Sequence, residues 1–193
     1  MSFDLKGMNI LITGASSGIG RQAALTYGKH KANIIALGRS QSALETLDDD
    51  LTKYNCNVSL VPFNLMQFNL IKDMEQKLSE RIDHLDVLFL NAAAFGSLTP
   101  ITHITEAEWN ETFAVNLTSN VIFLKLFEPY LKKTNQSQVL ISTTEIINQK
   151  KPFWGLYSAS KAALEQIAYS YAEETQNTNI KVNLIDPGIV NTK

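Results

Sequence analysis

Short apolar runs alternate with longer segments whose apolar positions recur every three or four residues, from one end of the chain to the other. Runs of the first kind predict buried strands, and segments of the second kind predict amphipathic helices. Strands are expected at Met8–Thr13, Asn33–Gly38, Val58–Phe63, Leu85–Leu90, Val139–Thr143 and Ile180–Ile185. A first helix should run through Ile19, Ala23, Ala24 and Tyr27. A second, capped by Ser40 or by Ser42 with Glu45 as a capping box, should bury Leu44, Leu47 and Leu51. Further helical segments are expected over residues 67–80, from Glu106 to about Lys132 with Pro129 ending or kinking the last turn, and over Leu156–Thr175.

Strand-helix alternation of this kind predicts an α/β fold, a parallel sheet with helices on both faces. Pro62 cannot donate to a sheet ladder, which puts the third strand at an edge. Strand three is the edge in the order 3-2-1-4-5-6 of a Rossmann-type doubly wound sheet.

The composition narrows the class. The 193 residues suit a single domain over 1–193, and 45% apolar with 19% charged residues is an ordinary globular mix. A formal net charge of −2 gives no reason to expect nucleic acid or an anionic membrane surface as partner. The one cysteine, Cys56, excludes an internal disulfide framework and fits a reducing compartment. Residues Met1–Gly7 carry Asp4 and Lys6 and lack the apolar run of a secretory leader, and no apolar stretch approaches the roughly 18 residues of a membrane span. A cytoplasmic location is expected. The sequons at Asn116 and Asn135 then count as chance matches, and His30, His84 and His103 lack metal-ligand spacing, so no metal site is expected.

Two motifs carry the chemistry. Thr13-Gly14-Ala15-Ser16-Ser17-Gly18-Ile19-Gly20 lies between a strand and a helix, where three glycines permit a tight turn and let a diphosphate approach the backbone amides of the helix start. Far downstream, Tyr157 and Lys161 are four apart on a helix and so share a face. A fixed cation beside a phenol should lower its pKa and make it a usable general acid or base. The second strand ends Gly38-Arg39-Ser40 with no carboxylate to bond ribose hydroxyls, and the planar guanidinium of Arg39 suits a 2′-phosphate. NADP(H) is therefore favoured over NAD(H).

The two motifs, with Asn91, Asn116 and Pro187-Gly188 between and after them, resemble the short-chain dehydrogenase/reductase family over nearly the whole chain. The resemblance implies an oxidoreductase that moves hydride between nicotinamide and a carbonyl or alcohol substrate, with Tyr157 as acid/base. Lys161 is implied to hold the ribose hydroxyls. Asn116 is implied to be the active-site Asn whose backbone distorts a helix; by chemistry alone a helix N-cap is an equal reading. The substrate-orienting hydroxyl lands on Thr144, with Thr143 second. Asn64-Leu65 stands where the family has an adenine-contacting Asp-Val, Asn91-Ala92-Ala93 where it has Asn-Ala-Gly, and Pro187-Gly188-Ile189 with Thr192 at the nicotinamide turn.

Family members usually continue for another 50 or so residues, with a substrate-covering segment and a seventh strand, so a C-terminally truncated form is expected. Phe95, Ile146, Phe153 and Trp154 could line an apolar pocket, and Glu145 could reject anionic substrates. By family resemblance a homodimer through residues 116–132 and 156–175 is expected. The alternative left open is a non-catalytic NADP(H)-binding sensor or scaffold.

Overall fold

The computed structural model describes residues 4–188 and residue 190. Six parallel strands lie in the order β3-β2-β1-β4-β5-β6: β1 Asn9–Thr13, β2 Asn33–Gly38, β3 Val58–Pro62, β4 Val87–Leu90, β5 Ser137–Ser142 and β6 Ile180–Ile185. The helices are α1 Gly18–Lys29, α2 Gln41–Thr52, α3 Phe68–Ser79, α4 Glu106–Phe113, α5 Ser119–Leu131 and α6 Gly155–Thr175. Among the described residues no helix is long and apolar enough to cross a membrane.

Strand alternation sorts the core into two layers. Ile10, Ile12, Ile34 and Ala36 pack with Ala24 of α1 and with Leu44, Leu47 and Leu51 of α2. On the opposite face Leu11, Ile35, Leu88 and Ile141 pack with Ile71 of α3, Phe123 and Phe127 of α5, and Leu164 of α6. β3 is an edge and ends at Pro62, opposite Gly38, so the missing donor faces away from any further strand.

Element ends differ from expectation where local bonds compete. Leu85 donates its amide to the Tyr130 carbonyl and stays outside β4. Ser40 caps α2, accepting from Ala43 N at 3.3 Å, and Gln41 Nε2 takes Glu45 at 2.8 Å. Of the two caps expected, Ser40 is the one used, and the Ser42–Glu45 box does not form. Pro129 sits in the last turn of α5, which stops at Leu131.

The β1–α1 junction is the tightest point. Gly14 has φ +71, and a Cβ there would lie 3.0 Å from Ala92 Cα. A Cβ at Gly20 would lie 2.4 Å from the Gly14 carbonyl oxygen, an approach only backbone movement could relieve. Gly20→Ala should therefore cost about 2 kcal/mol and lower the melting temperature by about 5 °C. Gly7 has φ +78 with nothing within 4 Å of a new Cβ, so Gly7→Ala should show only the left-handed strain of about 1 kcal/mol. Thermal denaturation of the two variants tests this ordering.

Candidate active site

All the chemistry gathers at the carboxyl ends of the strands, where a doubly wound sheet binds ligands. A cavity of about 290 Å³ opens there between the turns after β1, β2, β3 and β4. Gly14, Ser16, Ser17, Gly18 and Ile19 form one wall, Asn64 and Leu65 another, and Asn91, Ala92 and Ala93 a third, with Arg39 at the rim. Gly20 is buried behind Gly14, and Ser40 is engaged as the α2 cap. Ser17 makes no side-chain cap bond and α1 carries no acid in its first turn. The positive end of that helix is therefore open to an anion in the cavity. Arg39 is exposed and has no ion-pair partner among the described residues. A dinucleotide diphosphate fits this cradle: side chains at Gly14 or Gly38 would fill it, the latter meeting Ser16 Cβ at 2.9 Å.

Phe63 also lines the cavity, and Thr13 and Ser142 brace it, none of which the sequence reading assigned. Thr13 Oγ1 accepts from the amides of Asn91 and Ala92, both at 3.0 Å, and Asn91 Nδ2 donates to the Thr13 carbonyl at 3.1 Å. Ser142 Oγ donates to Asn91 Oδ1 at 3.3 Å. The signal for Thr13 was present, as the residue opening the glycine motif.

Tyr157 and Lys161 lie on α6 beside this region. Lys161 is 2% exposed, and its ammonium donates to the Ser142 carbonyl at 2.8 Å. Burial lowers its pKa to about 8. Its Nζ stands 6.0 Å from the centre of the Tyr157 ring. The expectation that Lys161 lowers the Tyr157 pKa does not hold in this state. Burial raises the phenol above its ordinary value, and the Asp186 carboxylate adds to the rise. The ammonium is directed to a carbonyl, so desolvation dominates and the phenol rests protonated.

Asn116 lies in a π-helical turn, Ala114–Thr118, between α4 and α5, and is fully buried. Its Oδ1 accepts from Ala94 N at 2.7 Å, and its Nδ2 donates to Ala94 O at 2.8 Å and Ser160 Oγ at 2.9 Å. The N-cap reading of Asn116 is thereby replaced by a bridge from the β4 end to α6. Thr144 Oγ1 accepts from Ile146 N at 3.4 Å, whereas the Thr143 hydroxyl donates to Glu165. Pro187 and Gly188 follow β6 as exposed residues and do not line the cavity. Ile189 and Thr192 lie outside the described residues. Ile146 is core; Phe95 and Phe153 are exposed and Trp154 is half-buried.

This sheet order, with the glycine turn and the open helix end, defines a Rossmann-type fold with a cavity suited to a dinucleotide. Residues 8–193 match the family model for short chain dehydrogenase, and the chain belongs to the short-chain dehydrogenase/reductase family. It is 31% identical over 185 residues to the oxidoreductase YciK of Escherichia coli K12, covering 93% of this chain and 72% of that one. It is 27% identical over 188 residues to the 3-oxoacyl-[acyl-carrier-protein] reductase FabG of Thermotoga maritima, covering 97% and 76%. Among solved structures, a short chain dehydrogenase from Pseudomonas syringae superposes with TM-score 0.91 at 26% identity, covering 96% of this chain and 78% of that one. One from Escherichia coli CFT073, complexed with NADPH, gives 0.88 at 28% identity over the same shares.

The buried lysine makes a stability prediction. Between about pH 8 and 10.5 the unfolded chain retains a proton that folded Lys161 has lost, so this group adds stability as pH rises through that window. Below it, charged Lys161 is held at a cost of about 3 kcal/mol, partly offset by the Ser142 bond. Lys161→Met should be more stable than wild type at pH 7 by about 1–3 kcal/mol. That advantage should shrink toward pH 10. The difference between the two proteins cancels the tyrosines with raised pKa values, Tyr157 and Tyr171 among them, which lower stability at still higher pH. Denaturant titrations at several pH values check it.

Proposed function

We propose that the protein is an NADP(H)-dependent oxidoreductase acting on a carbonyl/alcohol pair, with Tyr157 as the general acid/base. The observation that carries this is the Lys161 ammonium, buried with no counter-charge among the described residues one helical turn from the phenol, at the sheet end where the helix of the glycine turn stands open. Its cost is offset when it donates to ribose hydroxyls, and a positive charge held there also favours the phenolate that proton donation leaves behind. NADP(H), when bound, would supply or accept the hydride. Gly14, Ser16, Ser17, Gly18 and Ile19 would form its diphosphate cradle, with Gly20 behind them letting the turn close, and Asn64 and Leu65 would border adenine. Asn91, Ala92 and Ala93 would flank the ribose, and the Pro187-Gly188-Ile189 turn with Thr192 would take the nicotinamide amide. Arg39 and Ser40 would meet the 2′-phosphate, a reading supported by the NADPH bound to the E. coli CFT073 relative.

Tyr157, protonated at rest, suits donation to a carbonyl oxygen as hydride reaches its carbon; oxidation returns that proton to the phenolate. Thr144 is the orienting hydroxyl, because its oxygen accepts from Ile146 N and keeps its own hydrogen to donate, while the Thr143 hydrogen is spent on Glu165. Asn116 is a positioning residue, since its side chain is fully engaged by Ala94 and Ser160.

Assays of a carbonyl panel with NADPH and with NADH test the reading. Tyr157→Phe should lower kcat by at least about a hundredfold with little change in cofactor binding. Arg39→Asp should raise the KM for NADPH about tenfold or more while sparing NADH. Wild-type turnover in Tyr157→Phe would refute the assignment.

We place the protein in the cytoplasm, consistent with its single cysteine. We also read it as a homodimer through residues 116–132 and 156–175, where Val121, Ile167 and Tyr169 expose apolar surface on α5 and α6. Light scattering at micromolar concentration should give twice the chain mass, and a monomer would remove this reading.

A further inference from the structure

The phenol of Tyr157 belongs to an aromatic cluster. Phe95, just past the end of β4, meets Trp154 edge-on with centroids 5.1 Å apart and leans on the Tyr157 ring at 5.0 Å. Trp154 and Tyr157 are 6.4 Å apart. Packing of this kind usually removes rings from water, yet Phe95 stays 44% exposed. The open surface continues outward. Ile101 is 73% exposed and lies against the start of α6, where a Cβ built at Gly155 would come within 3.0 Å of its Cγ1. Phe153 is 52% exposed with φ +72, a left-handed conformation that a bulky residue adopts only under strain. These apolar side chains stand against the proposed proton donor, with Phe95 in direct ring contact with Tyr157.

A carboxylate also stands at the strand ends near the phenol. Asp186 directly follows Ile185, whose carbonyl accepts from Thr143 N at 2.9 Å, so it lies at the end of β6 beside the turn that carries Thr144; its Oδ1 accepts from Gly188 N at 2.8 Å. Glu145, next to Thr144, is exposed. Lys151 is the cation on the wall itself, its Nζ 5.2 Å from the Trp154 ring centre and so engaged by that ring.

From this arrangement we infer that Phe95 and Trp154 are specificity-determining residues, for a ketone or aldehyde, or its alcohol, whose carbonyl bears a flat aromatic group and no adjacent carboxylate. The inference rests on the reading of Tyr157 as proton donor. A carbonyl oxygen at that hydroxyl puts its substituents alongside the neighbours of the tyrosine ring. Phe95 and Trp154 gain from a flat apolar group. Asp186, at the end of β6 beside the Thr144 turn, repels a carboxylate on the carbon next to the carbonyl. Short aliphatic carbonyls would bind weakly, and 2-oxo acids would be excluded.

The test separates binding from turnover. The chain has two tryptophans, Trp109 and Trp154, so 5-fluorotryptophan labelling gives two fluorine resonances, assigned with Trp109→Phe. Acetophenone should shift the Trp154 signal saturably, whereas acetone and benzoylformate should not over the same concentration range. Phe95→Ala should raise the apparent Kd for acetophenone, and its KM with NADPH, about tenfold, with a smaller change in kcat. Asp186→Asn should admit benzoylformate. No movement of the Trp154 signal, or a Kd in Phe95→Ala equal to wild type, would overturn the inference. A saturable, Phe95-dependent shift without turnover of any carbonyl would leave the aromatic site standing and remove the oxidoreductase reading. Turnover of acetophenone indifferent to Phe95 and Trp154 would do the reverse.

Discussion

A file of polar groups crosses the carboxyl ends of three strands and ends on a buried charge. Lys161 Nζ donates to the Ser142 carbonyl, the Ser142 hydroxyl to Asn91, and the Asn91 amide to the Thr13 carbonyl. The members come from α6, β5, β4 and β1 in turn. A desolvated ammonium is costly unless its donors are met, and each partner in the file is held by the next. The glycine turn at one end and the tyrosine helix at the other are therefore fixed relative to each other. Loosening any member disturbs both the cavity and the phenol.

Asn116 is the second brace. A π-helical turn carries an extra residue and interrupts the regular ladder, a distortion that has to be stabilised from outside the helix. Ala94 and Ser160 provide this, bonding the buried amide from the β4 end and from α6, and Ser160 passes the link to the Tyr157 carbonyl at 2.8 Å. The same residue thus allows the irregular turn and anchors the first turn of α6, which presents Tyr157.

What could be read from the sequence follows the range of the forces involved. Strand order was legible because Pro62 reports an edge through a missing backbone donor, and the glycine turn because backbone clearance at Gly14 and Gly20 admits no side chain. The Ser42–Glu45 box failed because Ser40 offered a competing cap two residues earlier and Glu45 found Gln41, a choice between neighbours that pattern does not rank. The Tyr157 pKa was misread for a different reason. Spacing puts Lys161 on the same helix face but says nothing of where its long side chain ends, and it ends on a β5 carbonyl. Contacts distant in sequence were likewise invisible: the motif marks Thr13 but not its bonds to Asn91 and Ala92, and nothing in the pattern brings Asp186 near Tyr157.

The site is also uneven in charge along its length, which bears on how it orients what enters. Arg39 stands at the rim near β2 with no ion-pair partner among the described residues, the uncapped start of α1 follows, Lys161 is buried on α6, and Asp186 is exposed at the end of β6. Under the proposed function the strongly anionic part of the ligand meets the cationic half, where guanidinium, helix end and ammonium all favour it. The Asp186 carboxylate disfavours the same groups. A reversed dinucleotide would take its phosphates away from the guanidinium and the open helix end, so the field favours one orientation. In that orientation the reacting end of the ligand lies toward Tyr157, and the aromatic wall is left to the substrate.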